Sequence, residues 1–142
     1  MPKGSIIFHF EKTEKLALSK KKYTEWLQKV IISEGRILGT INCIFCTDEY
    51  LLNMNQTYLN HDTLTDIVTF NYVEQDIISG DLFISVDRVK ENAETFEVSF
   101  LGELKRVMVH GVLHLIGYND KTPEEAKEIR AKEDFYLTLF AE

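Results

Sequence analysis

The sequence predicts an α+β domain in which one mixed four-stranded sheet is packed by about five helices. Three observations carry this expectation. Four short runs rich in Ile, Val and Phe have strand character. Segments with apolar residues at helical spacing, most of them opened by a capping residue, stand before, between and after those runs. With 7 Gly and 2 Pro in 142 residues there is little material for linkers, so residues 1–142 read as a single domain.

Taken in order, Ile6 to Phe10 reads as the first strand. Ser19 is placed to cap a helix running to about Ser33, because Tyr23, Trp26, Leu27, Val30 and Ile31 fall on one side of it. After Gly35 and Gly39, Thr40 to Cys46 reads as a well-buried strand. Thr47 then caps a helix that opens on Asp48 and Glu49, where acids suit the positive end of the dipole, and that ends near Leu59. Asn60 to Thr65 is a polar loop. Asp66 to Tyr72 partly alternates apolar and polar residues, as a half-buried strand does. A turn at Ser79-Gly80 is expected to lead into its partner, Asp81 to Ser85, across a longish loop. From there the chain reads as helical throughout: Ser85 caps a helix to about Phe96, Val98 to Ile116 forms the next, and Pro123 to Phe140 the last.

Composition narrows the function classes. No apolar run approaches the length of a membrane span and the start does not resemble a signal peptide, so a cytoplasmic protein is expected. A formal charge of −7 argues against broad nucleic-acid affinity, which depends on Lys and Arg displacing counterions. It leaves room for a local patch. Lys20, Lys21 and Lys22 cluster near a helix start and read as a solvated face, with an RNA-facing patch as the alternative. Cys43 and Cys46, three apart in a strand, face opposite sides of the sheet and read as buried structural thiols.

The segment from His110 to Asp120 carries the chemistry. His110 and His114 are four apart on a helix, so their imidazoles share one face and can bind one ion. Gly117 lets the helix stop in a left-handed conformation, and Asp120 can then turn back as a third ligand. Thr122, Pro123 and Glu125 form a helix-start signature that pins the turn from its far side. The spacing His-x-x-x-His-x-x-Gly-x-x-Asp is zincin-like, that of the metzincins with Asp in place of the last His. One Zn2+ is expected, another divalent ion being possible. His9 and His61 have no ligand-like neighbours, so the fourth position is expected to be open, as at a catalytic metal.

Metzincins place a Glu general base directly after the first His. Here that position is Gly111, which disfavours peptide hydrolysis and suggests that substrate or another backbone comes close. Glu103 lies seven residues before His110 on nearly the same face. It is either an orienting or acid/base carboxyl or an ordinary surface acid, the plainer reading.

The stretch His110-Gly111-Val112-Leu113-His114-Leu115-Ile116-Gly117-Tyr118-Asn119-Asp120 resembles the signature of the bacterial YbeY family, His-Gly-x-Leu-His-Leu-x-Gly-Tyr-Asp-His. Thr65-Asp66-Ile67-Val68-Thr69-Phe70 and Gly80-Asp81-Leu82-Phe83-Ile84-Ser85 match two further family segments in order. The resemblance implies a metal-dependent single-strand endoribonuclease of rRNA maturation and ribosome quality control, with rRNA and small-subunit assembly factors as partners. This chain departs from the pattern at Asp120, where the family usually has His. It also departs at Leu59 and Leu64, which stand where the family usually has Arg and Pro. Lys105 or Arg106 could replace that missing Arg as a phosphate contact, outward solvated charges being the plainer reading. Two rivals accompany the endoribonuclease: a metzincin-like peptidase lacking its Glu, and a ribosome-assembly RNA binder whose metal is mainly structural. The sequence leaves the oligomeric state open.

Overall fold

The computed structural model describes residues 4–13, 16, 18–54 and 65–140. Within them the elements are, in order, β1 (Ser5–Phe10), α1 (Lys20–Ser33), β2 (Ile37–Cys46), α2 (Asp48–Met54), β3 (Ile67–Asn71), β4 (Ile77–Ser85), α3 (Val86–Thr95), α4 (Phe100–Ile116) and α5 (Pro123–Leu137). The strands form one sheet in the order β1-β2-β4-β3. β1 pairs with β2 and β2 with β4 in parallel, while β3 runs antiparallel to β4. The mixed four-stranded sheet and five helices expected from the sequence are what the described residues form.

Alternation along the strands divides the apolar residues between two faces. Ile41, Cys43 and Phe45 of β2 and Ile78, Leu82 and Ile84 of β4 join the main core with the apolar sides of α1, α3, α4 and α5. Cys46, Leu51 and Val68 form a smaller cluster with Tyr50, Phe70 and Phe83 against α2. The two cysteines therefore lie in different clusters. Both are buried and unbridged, and burial pushes each thiol up to about 12, with Asp87 and Asp48 adding to the effect at Cys46. They are structural thiols, as the spacing predicts. The five residues assigned to the apolar side of α1 are likewise its buried ones.

Element boundaries differ from the sequence reading in ways that long-range contacts explain. β4 begins at Ile77, so Ser79 and Gly80 lie inside the strand, and the chain reverses instead over Gln75 and Asp76, with Glu74 bridged to Ile77. Gly80 serves close approach: a Cβ there would meet the Phe70 carbonyl at 2.5 Å and the tip of Leu115 at 2.8 Å. β2 starts earlier than Thr40, and its register with β4 shifts between Leu38 and Ile41, where the Ser79 hydroxyl accepts from the Thr40 amide. α4 starts at Phe100, capped by Ser99, because the Val98 amide is used to close α3 on the Ala93 carbonyl. α5 stops at Leu137, and Phe140 leaves it to pack edge-on against Tyr23 and Trp26. The expected end of α2 at Leu59, the loop residues His61 and Leu64, and the departures at Leu59 and Leu64 lie outside the described residues.

Candidate metal centre

α4 is the element on which the site is built. Its buried stripe, including Leu104, Val107, Met108, Val112 and Leu115, seats it on the main core and over β3 and β4. His110 and His114 lie at the margin of that stripe, each half-buried. The helix ends in a Schellman motif: Gly117, at φ +127°, donates to the His114 carbonyl, and Tyr118 donates to the Leu113 carbonyl. A left-handed residue here turns the chain back toward the imidazoles.

The turn is then fastened at both ends. On its far side Thr122 and Glu125 form the expected capping box, with Pro123 in the first turn of α5. On its near side Tyr118 donates to Glu34 Oε1 at 2.6 Å, and Glu34 also accepts from Lys132 at 3.1 Å and from Tyr136. Burial works to raise the Glu34 pKa, but these three donors outweigh it and hold the carboxyl below its usual range. The end of α1, the turn and α5 are thus tied through one carboxylate.

This geometry delivers Asp120. Its Oδ2 lies 3.5 Å from the Nε2 atoms of both His110 and His114, which are themselves 2.9 Å apart. A point equidistant from the three donor atoms lies about 1.9 Å from each, close to the roughly 2.0–2.1 Å of a zinc–ligand bond. The donor set fits one divalent ion. Among the described residues this is the one group of His, Cys, Asp or Glu side chains close enough to hold a metal. His9 is elsewhere, on β1 and bonded to Asn42, and His61 falls outside the described residues.

A carboxylate that sequence reasoning did not identify orients the first imidazole. Glu133 of α5 is 3% exposed, and its Oε2 lies 2.6 Å from His110 Nδ1. A carboxylate can only accept, so Nδ1 carries the proton and Nε2 keeps its lone pair for the shared centre. Burial works to lower the His110 pKa, but the bond and charge of Glu133, with Asp120 and Asp66, more than offset it, and the pKa is raised. The one signal available in the sequence was position: Glu133 falls between Ile129 and Tyr136 on the buried side of α5.

Arg106 meets the other oxygen of Glu133. Its guanidinium donates to Glu133 at 2.9 Å and to Asp134 at 2.7 Å. Arg106 is therefore not the outward solvated charge that the plainer sequence reading expects. It belongs to the structure behind the site, though it still lines the groove beside it. Lys105 sits 4.0 Å from the centre of the Phe140 ring. Lys20, Lys21 and Lys22 are exposed at the start of α1, as a solvated face would be.

One other expectation needs correction and another is narrowed. Glu103 is not a surface acid but is 6% exposed on α4. Burial raises its pKa, Asp66 adds to that, and Arg106 and Arg130 partly oppose it. A carboxyl with a raised folded-state pKa holds its proton to higher pH than the unfolded chain does, so its stabilising contribution is lost as pH rises through that window. Glu103→Gln is accordingly expected to stabilise the metal-free protein at neutral pH by on the order of 1 kcal/mol, a rise of a few degrees in melting temperature. In melts across pH, the gain should vanish below the ordinary carboxylate range. Of the two readings of Gly111, close approach by another part of the chain is the one the packing supports. A Cβ there would meet Ile67 at 2.6 Å and Leu82 at 3.0 Å, so its small size lets α4 settle onto the sheet.

Residues 8–141 match the family model described as Endoribonuclease YbeY. A Flavobacterium johnsoniae protein named Endoribonuclease YbeY is 51% identical over 135 residues, covering 95% of this chain and 96% of that one. Its namesake from Flavobacterium psychrophilum is 55% identical over 118 residues, covering 83% of this chain and 84% of its own. A Thermotoga maritima protein solved in solution superposes with a TM-score of 0.67 at 27% identity, over 92% of this chain and 87% of the other. With nearly its whole length matched by the family model and by relatives at such identity, the chain belongs to the YbeY family.

Proposed function

We propose that this protein is a metal-dependent endoribonuclease that cuts single-stranded RNA in rRNA maturation and ribosome quality control, acting in the cytoplasm with small-subunit assembly factors. Zinc is the ion we assign. The observation that carries the reading is the convergence of three donor atoms, one of them tautomer-locked, beside an open groove. His110, His114 and Asp120 would hold the ion. When bound, it supplies a Lewis acid that polarises a phosphoryl oxygen and makes water nucleophilic near neutral pH.

The chain's own residues do the rest. Glu133 fixes the His110 ring, Arg106 holds Glu133 in place, and Glu34 holds the turn that brings Asp120 to the centre. Glu103 lines the same groove and stays our candidate for carrying a proton there. The peptidase alternative fares worse, because position 111 points into Ile67 and Leu82, leaving no place for the usual Glu. The test is cleavage of a labelled single-stranded RNA by the purified protein. Activity should disappear on chelation and return with added zinc, whereas cleavage that survives chelation would overturn the proposal.

A further inference from the structure

A groove of about 550 Å³ leads away from His110 and Asp120, a size ordinary for a small-ligand site. Residues of α4, of α5 and of the end of α3 line it. Val107 and Ile129 make part of the lining apolar. Phe96, which is 61% exposed, also lines it.

Phe96 is held firmly for so exposed a residue. It caps α3, its amide donating to the Asn92 carbonyl at 2.9 Å. The next residue, Glu97, takes a left-handed φ of +56°, and Val98 donates back to the Ala93 carbonyl. This is a Schellman ending without glycine, a conformation that costs a non-glycine residue about 1 kcal/mol. The ring is thus presented from a fixed helix end. Asn92, one turn earlier on the same face, also lines the groove. Lys127 and Arg130, exposed on successive turns of α5, line it too.

An aromatic face, an amide and two cations beside a metal centre match the three recognisable parts of a nucleotide: base face, base edge and phosphate. We infer that this groove is a nucleotide subsite in which a base next to the scissile phosphate stacks on Phe96. Its edge meets Asn92, and the RNA backbone runs along Lys127 and Arg130. The inference rests on the endoribonuclease reading and adds to it the residue that grips the unpaired base.

The experiment measures anisotropy of labelled single-stranded RNA in chelator, so that binding is read without cleavage. Three proteins are compared: wild type, Phe96→Ala and Phe96→Trp. Stacking on one base is worth about 1–3 kcal/mol, so Phe96→Ala should weaken binding roughly 5- to 150-fold while Phe96→Trp retains it. An oligonucleotide of the same length built from abasic nucleotides should bind wild type and Phe96→Ala alike. Equal affinity of wild type and Phe96→Ala for normal RNA would overturn the inference, as would an equal loss on the abasic strand. Binding that depends on Phe96 in a wild-type protein that never cuts RNA would uphold the subsite and sink the endoribonuclease reading. Cleavage by wild type with no Phe96 dependence of binding would do the reverse.

Discussion

Replacing His114 with alanine is expected to strip the metal from the purified protein and to reduce RNA cleavage to background. Two donors remain in that variant, and Asp120 is half-exposed and reaches the centre only through the turn after Gly117. The loss should exceed the roughly 10–100-fold that removing a supporting partner costs. Elemental analysis of the protein and a gel-based cleavage assay check it. Asp120→His provides the contrast. It restores the residue that the family's signature usually carries and should keep the metal with three imidazoles. Full metal content in His114→Ala would show that the ion sits elsewhere.

Glu133→Ala should produce the second largest effect, and on two readouts. Glu133 is almost wholly buried between His110 and Arg106. Without it the His110 ring loses the acceptor that fixes its tautomer, and metal affinity should fall about 10–100-fold in a chelator competition. Removing one member of a buried charged pair also costs roughly 3–5 kcal/mol; the lower end is expected because Arg106 keeps Asp134. Denaturation of the metal-free protein measures that term separately. Glu133→Gln keeps the shape and an acceptor oxygen, so it should retain more metal affinity than the alanine variant. Equal metal affinity in all three proteins would remove Glu133 from the site.

Much of the metal centre was legible in the sequence because its determinants are local. The i, i+4 spacing places two imidazoles on one helical face, a glycine at 117 stops the helix, and Thr122 with Glu125 starts the next within a few residues. The apolar side of α1 and the opposite facing of Cys43 and Cys46 were readable for the same reason, since helix and strand periods act over one or two turns.

What the sequence alone left undecided depends on contacts between distant segments. Glu133 reaches His110 across 23 positions and Glu34 reaches Tyr118 across 84, separations at which no spacing rule operates. Gly80 read as a turn, and Gly111 as a gap for substrate or another backbone, until the packing of α4 on the sheet shows both to be points of close approach within the chain. Glu103 and Arg106 looked like surface charges because their burial is imposed by neighbours that only the assembled fold supplies. The chain's local chemistry thus brought the three candidate donors together. Tertiary packing decided which carboxylates support them, because burying a charge is tolerated only where a partner from another element meets it.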